Sequence, residues 1–177
     1  MKYVYKNTIL NPQNIDMSKL LSLYLCFFVC QIGFGQLLNK PAPKFVLTTQ
    51  FGNVKKENFT EGKSIILVIA DRKSKAEPPL WCERLDKEFS KKLSYLKIAH
   101  VGSVPSFMRS TVMYFLKKES ELMVDWEGLV CKEYGYKSEH CAIFYINNKG
   151  IVKAVTDGFF SESKYNAFVS GIKKDLN

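Results

Sequence analysis

"SIILVIADRKSKAEPPLWCERL", residues 64–85, is the stretch whose reading decides the fold. Residues 65–70 are wholly apolar and mostly β-branched, which is how a strand covered on both faces reads. After a short polar loop come Glu77, Pro78 and Pro79, suited to a first helical turn because prolines there lose no intrahelical bond, with Ser74 expected as the N-cap. Trp81, Leu85 and Phe89 then recur every four residues, with Cys82 and Leu93 beside them. That spacing predicts a helix laying one apolar stripe on a sheet.

Working outward, residues 96–103 ("LKIAHVGS") read as the next strand and 105–118 as helical, with Phe107, Met108, Met113, Phe115 and Leu116 as its apolar positions. A short apolar run at 122–124 leads into "DWEGLVCKEYGY", a short helix expected to end at Gly135. Residues 142–146 and 151–156, joined by Asn147-Asn148-Lys149-Gly150, form a predicted hairpin, and a last helix runs over 161–176. Upstream, residues 45–48, a turn at Phe51-Gly52-Asn53 and a return ending at Phe59 predict a second hairpin at the domain edge. The order β-hairpin, β-α-β, helical insert, β-β-α is that of an α/β fold with a central mixed sheet flanked by helices.

The chain begins differently. Met17-Ser18-Lys19 leads into a predominantly apolar run of 13 residues, 20–32, and then into Gly33-Phe34-Gly35. A spanning helix needs about 20 apolar residues, so residues 1–35 are expected to be an extension plus a removable secretory signal, with the domain over 36–177 and no stable membrane span after cleavage. An uncleaved anchor is the competing reading. Cys30 follows bulky Phe27-Phe28-Val29, where a lipoprotein signal carries small residues, and Met17 is an alternative start.

Of 26 Lys and Arg, three (Lys2, Lys6, Lys19) fall before residue 36, and of 17 Asp and Glu one does (Asp16), leaving 23 against 16 and a net charge of +7. The excess is scattered lysine, with only Arg72, Arg84 and Arg109 as arginine. Nucleic-acid binding calls for a clustered basic face, so that class is set aside. Cys82, Cys131 and Cys141 remain in the domain, enough for one disulfide and one free thiol in an oxidising compartment. No Cys/His spacing resembles a zinc site, His100 and His140 being the only histidines, and neither metal nor cofactor is expected.

Three motifs in this order resemble the redoxin branch of the thioredoxin-like superfamily, the alkyl hydroperoxide reductase and thiol-specific antioxidant relatives. They are "PAPKFVLTTQFGNV", "VDWEGLVCKEYGY" and "AIFYINNKGIV", spread over residues 41–177. Ala70-Asp71-Arg72 and Met108-Arg109-Ser110 are similar to small periplasmic members that lack Cys-x-x-Cys. The resemblance implies a thioredoxin-like fold, an exported protein of the periplasm or envelope, and a thiol- or disulfide-bearing protein as partner.

It also locates the chemistry. In redoxins the attacking cysteine sits at the N-terminus of the first helix, where the helix dipole favours the thiolate. The matching positions, 74–79, hold no cysteine. Cys82 is spaced like a resolving thiol, with Glu77 at the attacking position, and Cys141, preceded by His140, falls where thioredoxins carry their cis-proline.

Three functions follow as expectations. The first is an exported thioredoxin-fold module with a degenerate redox site and no turnover. The second is a thiol-disulfide oxidoreductase or peroxiredoxin-like protein using Cys82, Cys141 or both. The third is a ligand site around Asp71, Arg72 and Arg109, at a sheet end where α/β folds collect ligands.

Overall fold

The computed structural model describes residues 37–59, 62–90, 93–137 and 139–176, so the leader assigned to residues 1–35 lies outside the described residues. The central run forms β3 (Ile65–Ala70), followed by α1 (Glu77–Phe89), β4 (Ser94–His100), a 3-10 turn (Ser106–Met108), α2 (Arg109–Leu116) and β5 (Met123–Asp125). Then come α3 (Leu129–Glu133), the hairpin β6 (Ala142–Ile146) and β7 (Val152–Asp157), and α4 (Glu162–Leu176). Before them stands the hairpin of β1 (Phe45–Thr49) and β2 (Val54–Glu57).

These strands make a single mixed sheet in the order β2-β1-β5-β4-β3-β6-β7. β3 and β5 lie parallel to β4, while β6 runs antiparallel to β3, so the apolar run at 65–70 is an interior strand paired along both edges. The expected edge hairpin is present, but it joins the sheet through β5: Thr48 and Thr49 pair with Val124 and Met123. Buried Gln50 reinforces that seam, its Nε2 donating to the Ser120 carbonyl (2.9 Å) and its Oε1 accepting from the Leu122 N–H (2.9 Å).

Strand period 2 divides the core in two. Ile65, Leu67 and Ile69 face one layer with Ile98, Met123, Val130, Cys131, Tyr134 and Phe144. Ile66 and Val68 face the other, with Trp81 and Leu85 of α1, Cys141, and Tyr165, Phe168, Val169 and Ile172 of α4. Each fully buried aliphatic side chain here contributes about 1.5–3 kcal/mol relative to exposure.

One sequence expectation fails locally. Ser74 is not the cap of α1: Ala76 occupies that position with no side-chain cap, and Ser74 is buried in the preceding loop. The hydroxyl follows the stronger acceptor, the carboxylate of Asp71, instead of free helical N–H groups. The apolar residues of the insert do not form a buried stripe. α2 has no buried residue, and Phe107, Met108, Tyr114 and Phe115 are exposed.

Candidate functional site

The carboxyl ends of β3 and β4 and the start of α1 converge where the resemblance puts redox chemistry. β3 is followed by Asp71, whose Oδ1 accepts from the N–H groups of Lys73 (2.9 Å) and Ser74 (3.0 Å) and from the Ser74 hydroxyl (3.0 Å). Its Oδ2 accepts from the Glu139 N–H (2.6 Å), and Lys73 forms an ion pair with Glu139. Partial burial works against the charged form of Asp71, but these N–H and O–H donors outweigh it and hold its carboxyl below the usual carboxylate range. Asp71 therefore clasps the loop before α1 to the loop before β6. Arg72 beside it is exposed.

α1 begins with Glu77, Pro78 and Pro79. The Glu77 carboxylate accepts from the Phe160 N–H (2.7 Å), so the position to which the resemblance assigns an attacking thiol carries a carboxylate tied to the loop before α4.

Cys82 packs against the buried cluster beneath α1 that contains Cys141, Trp81 and Ile143. Cys82 and Cys141 are both free thiols. Burial pushes the Cys82 thiol up, Lys97 opposing this only in part. Cys141, 1% exposed, is pushed up to about 12, first by burial and then by the negative charges of Glu77 and Asp71. The local field is thus opposite to the one that activates a redox cysteine. His140 is half-buried with its ring edge-on to Phe159, centroids 6.2 Å apart.

Arg109 is committed elsewhere. Its Nη2 donates to Glu127 (3.0 Å) and its guanidinium lies over the Trp126 ring, 5.0 Å from the centroid. It braces α2 against the segment after β5.

Sequence reading passed over a second group. His100 and Asp125, the last residues of the parallel pair β4 and β5, stand opposite each other in register, and Cys131 of α3 joins them. One ligand atom from each lies within 4.8 Å of the others. The signal available in sequence was a polar residue closing each of two apolar runs, "KIAH" and "MVD". Polar residues at the carboxyl ends of parallel strands mark ligand positions in α/β sheets.

The architecture matches solved structures of thioredoxin type. The chain is similar to the exposed lipoprotein thioredoxin Etrx1 of Streptococcus pneumoniae (18% identity, TM-score 0.57, covering 75% of this chain and 99% of that one). It is similar also to a thiol:disulfide interchange protein, DsbE, from Chlorobium tepidum (20%, 0.52, 79% and 98%). A third is a thiol-disulfide oxidoreductase from Bacteroides fragilis (17%, 0.50, 78% and 100%). No protein-family model and no curated protein matches the chain. The fold is thioredoxin-like, and its structural neighbours include thiol-disulfide oxidoreductases.

Proposed function

We propose that this chain is an exported thioredoxin-fold module that binds a partner without catalysing thiol exchange. The observation that carries the reading is the start of α1. Glu77 stands where the nucleophile would be, and its carboxylate is bonded to the Phe160 backbone. All three thiols in the domain lie in surroundings that disfavour the thiolate. Export is supported by the apolar run at 20–32 followed by Gly33-Phe34-Gly35. The matching test is the mass of the mature protein recovered outside the cytoplasm, expected to begin at Gln36.

The full chain should neither reduce insulin nor consume hydroperoxide above background. Enzyme-like turnover abolished by Cys82→Ser or Cys141→Ser would instead establish a second reading, a thiol-disulfide oxidoreductase acting on a thiol- or disulfide-bearing protein. That reading is favoured by the shared cluster of Cys82 and Cys141 and by the thiol-disulfide oxidoreductases among the structural neighbours. A ligand site built on Asp71, Arg72 and Arg109 has less support, because Asp71 and Arg109 already hold protein partners.

A further inference from the structure

The group at the ends of β4 and β5 combines three ligand chemistries in one cluster. Asp125 and Cys131 are each 2% exposed, and His100 closes the group from its half-buried side. Asp125 Oδ2 accepts from the Cys131 N–H (2.8 Å), which holds carboxylate and cysteine on the same side of the turn. Asp125 also anchors the strand end through its carbonyl, which accepts from the Val101 N–H (3.2 Å).

The imidazole sits in a cradle made of two glycines. A Cβ placed on Gly102 or on Gly128 would come within 3.1 Å of His100 Cε1, and Gly128 adopts φ +69, a conformation that side-chain-bearing residues rarely take. On another side the Tyr136 ring meets the imidazole edge-on, centroids 5.3 Å apart. Thus held, His100 Nδ1 is buried and has no hydrogen-bond partner among the described residues. A buried, unpaired ring nitrogen beside a carboxylate and a thiol is a costly arrangement for a purely structural cluster.

We propose that His100 Nδ1, the Asp125 carboxylate and Cys131 Sγ bind one Zn²⁺ ion. Nitrogen, oxygen and sulfur donors suit that borderline cation, and three protein ligands leave a fourth position for water. Tetrahedral bonds of about 2.0–2.3 Å put ligand atoms roughly 3.5 Å apart, so side-chain rotations of about an ångström close the present separation. On coordination the Cys131 thiol proton leaves to solvent and the thiolate balances one of the two positive charges, the Asp125 carboxylate the other. Such a site would join β4, β5 and α3, the elements beside the vacated redox position. The competing chemistry for Cys, His and Asp together, a nucleophilic cysteine, does not fit a sulfur this deeply buried.

The test is equilibrium dialysis of the full chain, reduced and stripped of metal, against Zn²⁺, with Mg²⁺ as the oxygen-preferring control. One equivalent of Zn²⁺ and no Mg²⁺ is expected. His100→Gln and Asp125→Asn should each weaken Zn²⁺ by more than about 100-fold, since changes to outer-shell partners alone cost 10–100-fold. Because those variants perturb buried positions, Co²⁺ provides a check that leaves the cluster intact. A thiolate-to-Co²⁺ charge-transfer band should persist in the Cys82→Ser/Cys141→Ser double variant, which retains Cys131 as the only thiol in the domain. Absence of Zn²⁺ binding by the wild-type chain, a Co²⁺ complex without the thiolate band, or loss of the band in the double variant would each overturn the proposal.

Discussion

Cys141 offers the sharpest measure of whether the redox position is chemically silent. With the thiol pushed up to about 12, its thiolate fraction near neutral pH falls roughly 3,000-fold below that of an ordinary cysteine at about 8.5. A more basic thiolate is intrinsically more nucleophilic, and a Brønsted slope of about 0.4–0.5 returns some 25–55-fold. The net expectation is alkylation about 10²-fold slower than for a free cysteine, before steric exclusion at 1% exposure slows it further. Timed iodoacetamide labelling at about pH 7, with peptide mapping by mass spectrometry, reads this for each cysteine separately. Cys141 should label slowly in the native chain and at the ordinary rate in denaturant. Native labelling within a few-fold of the denatured rate would refute the argument that burial and the charges of Glu77 and Asp71 suppress this thiol.

Further outcomes follow from the same contacts. Asp71→Ala removes the acceptor of four hydrogen bonds and should cost about 1–3 kcal/mol in urea unfolding, with Asp71→Asn losing less because one oxygen remains. Since folding lowers the Asp71 pKa, its contribution is present above the unfolded value of about 3.9 and lost as pH falls through the folded one, so the wild type should lose more stability than Asp71→Ala during acid titration. The thiols behave in the opposite sense. Their raised folded pKa values support stability below about pH 8.5, and each buried thiol should remove up to about 1.4 kcal/mol per pH unit as pH climbs above that, a slope made shallower by Cys141→Ala. Leu85→Ala, at a fully buried position between α1 and the sheet, should lower stability by about 2–5 kcal/mol in the same unfolding assay.

Much of the architecture was legible because burial leaves a period in the sequence. The apolar run at 65–70 gave away a strand covered on both faces, and the Trp81-Leu85-Phe89 spacing gave away the helix that covers it. Both readings depend only on local geometry. β5 was hidden because three residues carry no period, and the role of Met123–Asp125 in tying the N-terminal hairpin to the sheet is made by partners some 75 residues upstream in the chain. The exposure of the apolar residues of α2 was not legible for the converse reason: spacing shows that a face is apolar, not that anything covers it. Ser74 was misread as a cap because the competing acceptor, Asp71, is fixed only by the folded loop.

By itself the sequence determined that the helix start has no thiol, since the residues present at 74–79 can be read one by one. Only the tertiary structure decided what the remaining polar residues do. Asp71 became a clasp through the N–H of Glu139, Arg109 a brace on Glu127 and Trp126, and His100, Asp125 and Cys131 neighbours at one end of the sheet. The physical reason is range. Side-chain periodicity and turn chemistry act over a few residues and survive in linear order, whereas hydrogen bonds and coordination require atoms within a few ångströms, which parallel strand pairing supplies between residues far apart along the chain.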